Sequence, residues 1–147
     1  MKILVQKVLS ASVTVNQQVV STIKQGLLLF IGIEKSDTKM QADYLAKKVA
    51  NLRIFTDSDD KMNLSVQDIK GEILAVSQFT LAADLSRGNR PGFDTAAAPN
   101  EAQILYEYLV AKIREYNIAV QTGIFQANMQ VSLINDGPCT FILQKNQ

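Results

Sequence analysis

Apolar side chains recur at every second position through the start of the chain. Ile3, Val5, Leu9, Ala11, Val13 and Val15 share one parity, while Ser10, Ser12 and Thr14 take the other. A period of two predicts a half-buried strand with one inward face. NQQ (16–18) turns it and VVSTI (19–23) returns. GLLLFIGI (26–33) is continuously apolar, the pattern of a strand covered on both faces. Asp37 or Thr38 then offers a helix cap. Ala42, Leu45, Val49 and Leu52 follow at helical spacing and predict one apolar face.

RIFT (53–56) leads into the polar run DSDDK, and EILAVSQF (72–79) predicts a second buried strand. A long loop, LAADLSRGNRPGFDTAAAP (81–99), comes next. It holds two of the seven glycines and two of the three prolines. A loop of that length in a compact domain is more often functional than idle. Asn100 with Gln103 predicts a capping box, and Ala102, Leu105, Leu109, Ile113 and Tyr116 trace the inner face of a second helix. AVQTGIF (119–125), MQVSLIND (129–136) and CTFILQK (139–145) read as three closing strands. The sum is one α+β domain over residues 1–147, with mixed or antiparallel sheets and two main helices.

A 147-residue chain that is 47% hydrophobic and 20% charged has the composition of an ordinary globular domain. Its net charge of +1 does not indicate a strongly basic nucleic-acid binder, although a local basic patch is compatible with it. No stretch approaches the ~20 apolar residues of a membrane span. The opening MKILVQKVLSASVTV is broken by Gln6 and Lys7 and alternates as a strand does, unlike a signal peptide. The single Cys139 allows no intrachain disulfide. These features lead to the expectation of a cytoplasmic protein.

The most restrictive number is the absence of histidine. It excludes Ser-His-Asp and Cys-His catalysis within the chain and, with one cysteine, the ordinary structural zinc sites. The glycines form neither GxGxxG nor a Walker A loop. An enzyme built from this chain is expected to work without imidazole and without a cofactor or metal.

Several residues remain as candidates. Asp57, Asp59 and Asp60 lack the glycine and terminal glutamate of a calcium loop and read as a solvated turn. Cys139 has no nearby cation or histidine in sequence to activate it and reads as a small core residue. Lys47 and Lys48 read as the wet face of the first helix. Arg87 and Arg90, among glycines that expose backbone N–H donors, are candidates for gripping phosphates. Ser77, Gln78, Phe79 and Thr80 place two hydroxyls, an amide and an aromatic where a buried strand meets a loop, a common location for sites. A lone hydroxyl without a base is a poor nucleophile. Gly137-Pro138 interrupts a strand pattern. By default it is a turn between two strands, and the local pattern does not choose between its cis and trans isomers.

Taken together, SQFTLAAD (77–84) and SLINDGPCTF (132–141) resemble the two signature motifs of the D-aminoacyl-tRNA deacylase family. QKVLSASVTV (6–15), LRIFTDSDDKMNLSVQD (52–68), RGNRPGF (87–93), LYEYLV (105–110) and QTGIFQANMQVSL (121–133) resemble it in matching order. The likeness runs over essentially the whole chain. Small departures are Cys139 in place of the usual valine, Gly92 for serine and Lys7 for arginine.

The resemblance implies a homodimeric hydrolase without cofactor. Its substrate is the ester joining a D-amino acid to tRNA, with glycyl-tRNA mischarged on tRNA(Ala) as a second substrate. It further implies that Gly137-Pro138 is cis and projects from one subunit toward Ser77, Gln78, Phe79 and Thr80 of the other, where it rejects L-residues. The Phe79 N–H is then the candidate oxyanion donor, and the terminal ribose 2′-OH the candidate for positioning water. A covalent role for Thr80 is the rival. Arg87 and Arg90 are candidate contacts to the acceptor end of tRNA, with no role for DNA or membrane. Two other function classes are a non-catalytic RNA-binding module and a general small esterase using Thr80 or Cys139.

Overall fold

A computed structural model describes residues 1–146. Strand β1 (Lys2–Val15) is its organising element, because it pairs along both edges. On one edge it meets β3 (Gly26–Gly32) with its first half and β2 (Gln18–Ile23) with its second. On the other edge it runs antiparallel to β8 (Gln130–Gln144) over nearly its whole length. Beyond β3 the sheet continues with β6 (Glu72–Ser77) and β7 (Ala119–Thr122), both parallel to their neighbours. Strands β4 (Phe55–Thr56) and β5 (Met62–Leu64) form a separate small hairpin. The sheet is therefore mixed, and the fold is α+β as the sequence predicts.

Helix α1 (Lys39–Asn51) links β3 toward β6, and α2 (Pro99–Arg114) links β6 to β7. Both lie against one face of the sheet. Leu45, Val49, Leu105, Leu109 and Ile113 pack there with Ile3, Val5, Leu27, Leu29, Ile31 and Ile73. The other face has its own core, of Val8, Ala11, Val13, Ile23, Leu28, Leu74 and Val76, with Met129, Val131 and Leu133 against it. β3 and β6 carry apolar residues to both cores, which explains their unbroken hydrophobic runs. Each fully buried Leu or Ile contributes about 1.5–3 kcal/mol, far more than helix propensity supplies.

β1 departs from the single inward face that its periodicity predicts. Ile3 and Val5 face the helices, whereas Val8, Ala11 and Val13 face the second core. The pairing with β8 shifts between Val8 and Ser10, and one extra residue in β1 turns later odd positions to the opposite face. Leu9 falls at that shift and is 51% exposed, not buried.

At α1 the cap is Thr38, with Gln41 completing a capping box. Thr38 N–H donates to Gln41 Oε1 at 2.9 Å. Asp37 instead accepts from the Met1 amine and from Glu34 N–H. The capping box expected at Asn100 and Gln103 does not form. α2 starts with Pro99 behind the N-cap Ala98, with no side-chain cap, and Gln103 donates to Glu107. Pro99 has no N–H to satisfy and its fixed φ suits the first helical position, so the helix begins earlier than the polar pair suggests.

The three closing strands are also corrected. AVQTGIF stops as a strand at Thr122, and the remaining two segments form the single strand β8, which passes through Gly137-Pro138. The DSDD segment is the turn of the β4–β5 hairpin. Asp57 Oδ1 accepts from Asp59 N–H and Lys61 N–H, and these backbone bonds, that from Lys61 foremost, hold its carboxyl below the usual aspartate range. Among the described residues, no helix is long and apolar enough to cross a membrane.

Candidate active site

The parallel strands β3 and β6 end side by side, and the chain leaves them in different directions. Ser77 is the last residue of β6 and pairs with Ile31. Gln78 N–H still donates to Ile31 O at 2.7 Å, after which Phe79–Ala82 wind into a 3-10 helix instead of extending the strand. Gly32 permits this, since a Cβ there would stand 2.8 Å from Leu81 Cβ and 3.2 Å from Gln78 O. The open end of the strands becomes a cleft, the usual place for a ligand in parallel sheets.

A cavity of about 650 Å³ occupies that cleft. Ser77, Gln78 and Phe79 line one wall. Phe93, Ala97 and Pro99 come from the long loop and the start of α2, and Phe125 through Met129 from the β7–β8 connection. Phe79 is 56% exposed and its ring centroid lies 5.1 Å from that of Phe93. None of the lining residues is ionisable. The space is the size of a small-ligand site and is bounded by aromatic, aliphatic and amide groups.

The hydrogen bonds around Thr80 bear on its chemistry. Gln78 Nε2 donates to Thr80 Oγ1. Among the described residues no carboxylate or amine hydrogen-bonds to the Thr80 hydroxyl. The Phe79 and Thr80 N–H groups open the 3-10 helix and, among the described residues, find no protein acceptor. The arrangement offers donors for a developing oxyanion and no activated nucleophile. Thr80→Ala is therefore expected to retain hydrolysis within about tenfold, whereas loss of a covalent nucleophile costs several orders of magnitude. Single-turnover assays with trapping for an acyl-enzyme test this; a trapped Thr80 ester reverses the assignment.

Gly137-Pro138 does not line this cavity. Its peptide bond is cis. It lies within β8, in a bulge and not a turn. While β1 advances from Gln6 to Val8, β8 passes from Thr140 to Asn135, so Asp136–Cys139 is pushed out of the ladder. Asn135 Nδ2 clasps the bulge, donating to Lys7 O at 3.1 Å and Cys139 O at 3.3 Å. Lys7 Nζ stands 3.7 Å from Asp136 Oδ2. Along the sheet the bulge is level with Leu27, whereas Ser77 is level with Ile31 and three strand spacings away. Within one chain the two motifs are about 20 Å apart.

Cys139 is buried in the helix-side core, where burial raises its thiol pKa against the opposing pull of the Lys7 ammonium, a cation that the sequence did not place beside it. Arg87 and Arg90 sit on an exposed loop closed by paired backbone bonds between Asp84 and Gly92. Neither lines the cavity, though the same loop ends in Phe93, which does. Periodicity missed Phe93, Phe125 and Met129 as lining residues. The only local signal was the turn chemistry around Gly123 and Asn128, hidden by an apolar run that reads as strand.

Similarity to known proteins places the whole chain in one family. The family model described as D-Tyr-tRNA(Tyr) deacylase matches residues 4–144. A D-aminoacyl-tRNA deacylase of Geotalea uraniireducens is 58% identical over 144 residues, covering 98% of this chain and 93% of that protein. A solved structure named c-Myc DNA Unwinding Element Binding Protein superposes with a TM-score of 0.94 at 37% identity, with 100% of each chain covered. A second, described as "a probable eukaryotic D-amino acid tRNA deacylase", shares the fold with a TM-score of 0.82 at 16% identity over 97% of each chain. The chain belongs to the D-aminoacyl-tRNA deacylase family of ester hydrolases.

Proposed function

We propose that the cavity at the end of β6 binds the 3′ end of a D-aminoacyl-tRNA and hydrolyses its ester with backbone groups and the substrate's own hydroxyl. The observation that carries this reading is the uncharged lining of the cavity. An aminoacyl ester is an activated acyl donor, so orientation and oxyanion stabilisation suffice for much of the rate. The Phe79 N–H is the oxyanion donor in this scheme, with Ser77 and Gln78 lining the cavity beside it and Thr80, outside the lining, accepting from Gln78 Nε2. The terminal 2′-OH positions the attacking water.

Chirality is read by Gly137-Pro138 of a second copy. Two facts support action across subunits. The motif is too distant from its own cavity, and β8 presents an unpaired outer edge with Ile134 and Ile142 exposed at 56% and 70%. A wall of backbone excludes an L side chain by collision and leaves a D side chain free, which discriminates isomers better than added attraction does. Glycine has no side chain to exclude, so a glycyl ester also passes; the family resemblance implies that glycyl-tRNA mischarged on tRNA(Ala) is the second substrate. The protein acts in the cytoplasm as a homodimer, and Arg87 and Arg90 contact the acceptor end. The test is hydrolysis of D-tyrosyl-tRNA and L-tyrosyl-tRNA side by side with a chelator present. Rapid loss of the D ester alone is expected. Equal loss of both would indicate a general esterase, and loss of neither a binding module.

A further inference from the structure

Outside the cleft, the outer surface of the two helices carries a feature the reaction does not use. Tyr44, which is 44% exposed, lies between two ammonium groups, Lys48 Nζ at 6.0 Å and Lys145 Nζ at 5.4 Å from its ring centroid. Tyr108 on α2 lies between Lys39 Nζ at 4.9 Å and Lys112 Nζ at 5.6 Å. Lys47 is exposed on α1. Lys112 pairs with Glu115, and Asp43 accepts the Tyr108 hydroxyl at 2.9 Å. Among the described residues, Lys39, Lys47, Lys48 and Lys145 meet no carboxylate within 4.0 Å. Five cations thus gather around Tyr44 and Tyr108, with Asp43 and Glu115 the carboxylates engaged among them and Glu101 and Glu107 exposed elsewhere on α2, in a chain whose net charge is only +1. Ring faces hold the ammonium groups in place while leaving them wet and able to pair with anions.

We infer that this face binds the phosphate backbone of the tRNA acceptor arm, a contact distinct from the recognition of the esterified 3′ end. The inference rests on the family's substrate being tRNA. Charge complementarity selects the occupant, since a duplex backbone presents regularly spaced anions. Position supports it, because Lys145 and Lys2 bring this face beside the 3-10 helix at the cleft, with Lys2 Nζ also paired to Glu34 at 3.1 Å. Lys145 N–H bonds to Met1 O, and the neighbouring Lys2 Nζ reaches Leu81 O of the 3-10 helix at 3.5 Å. From there Lys39 to Lys48 runs about 14 Å along α1, enough to follow several phosphates.

The experiment compares the intact protein with the pair Lys48→Glu and Lys145→Glu, and with the conservative pair Lys48→Arg and Lys145→Arg. Affinity for uncharged tRNA is measured against salt, together with hydrolysis of D-tyrosyl-tRNA and of the minimal ester D-tyrosyl-adenosine. In the glutamate pair, tRNA affinity is expected to fall about tenfold at low salt and the slope of log affinity on log salt to shrink by about two. KM for D-tyrosyl-tRNA rises in step, kcat holds, the minimal ester is cleaved as before, and the arginine pair behaves as the original. Unchanged tRNA affinity and salt slope would overturn the inference, as would equal losses on the minimal ester and on tRNA. Should the original protein cleave neither ester while the glutamate pair still loses tRNA, the basic face stands and the catalytic reading fails.

Discussion

Gly137→Ala is expected to reduce the ratio of kcat/KM for D-tyrosyl-tRNA over L-tyrosyl-tRNA by about 100-fold, equivalent to roughly 2.8 kcal/mol of lost repulsion. A Cβ at this position would stand 2.3 Å from Asn135 Oδ1 and 2.9 Å from Cys139 N. The first contact expels the side chain that clasps the bulge to Lys7 O and Cys139 O; the second is with backbone and displaces the bulge itself. The chain should remain folded, because residues 136–138 lie outside both cores. Far-UV circular dichroism verifies that, and the ratio is then read on folded protein. Asn135→Ala removes the clasp without adding an atom and should move the ratio the same way by less. An unchanged ratio in folded Gly137→Ala would remove the bulge from chiral selection.

The same variant tests action across subunits. Mixed with a chain whose cavity is filled by Ala97→Trp, it should recover selective hydrolysis at about a quarter of the original sites, the statistical yield of mixed dimers with one intact cavity facing one intact wall. No recovery would place wall and cavity on the same chain.

Replacing the terminal adenosine of D-tyrosyl-tRNA by 2′-deoxyadenosine is expected to slow single-turnover hydrolysis by 10²-fold or more, the lower range of what a positioned proton-transfer group contributes. The cavity supplies no such group. Its lining is free of ionisable side chains, the chain has no histidine, and the Thr80 hydroxyl already accepts from Gln78 Nε2. A substrate that carries its own hydroxyl beside the scissile ester removes the need for one. RNA offers that hydroxyl and DNA does not. If hydrolysis of the deoxy substrate matches the ribose form, the protein itself must position the water, and the amide of Gln78 becomes the first group to test.

Both results turn on features that a linear reading reaches unequally. The helices were legible because Ala42, Leu45 and Val49, and Ala102, Leu105, Leu109 and Ile113, repeat at helical spacing and are all buried. The doubly covered strands were legible because Leu27–Leu29 and Ile73–Val76 leave no polar gap. Chemistry was legible by exclusion, since the missing histidine had already ruled out imidazole catalysis. Ser77–Thr80 stood out as polar groups at the end of a buried strand.

What the sequence determined by itself is therefore local or compositional: element types, the apolar faces of the helices, and the classes of catalysis that the residue inventory forbids. The tertiary structure alone decided three things. Leu9 is exposed because the β1–β8 register shifts beside it, and a register belongs to two strands at once. Gly137-Pro138 is a bulge in one long strand, because the extra residues are displaced against Lys7, a partner 130 positions earlier that no local rule connects to it. Phe93 and Phe125 meet Phe79 at one cavity because the sheet order places β7 beside β6 and folds the long loop over their ends. Side-chain periodicity records how each segment meets solvent and core; it carries no record of which segments meet each other.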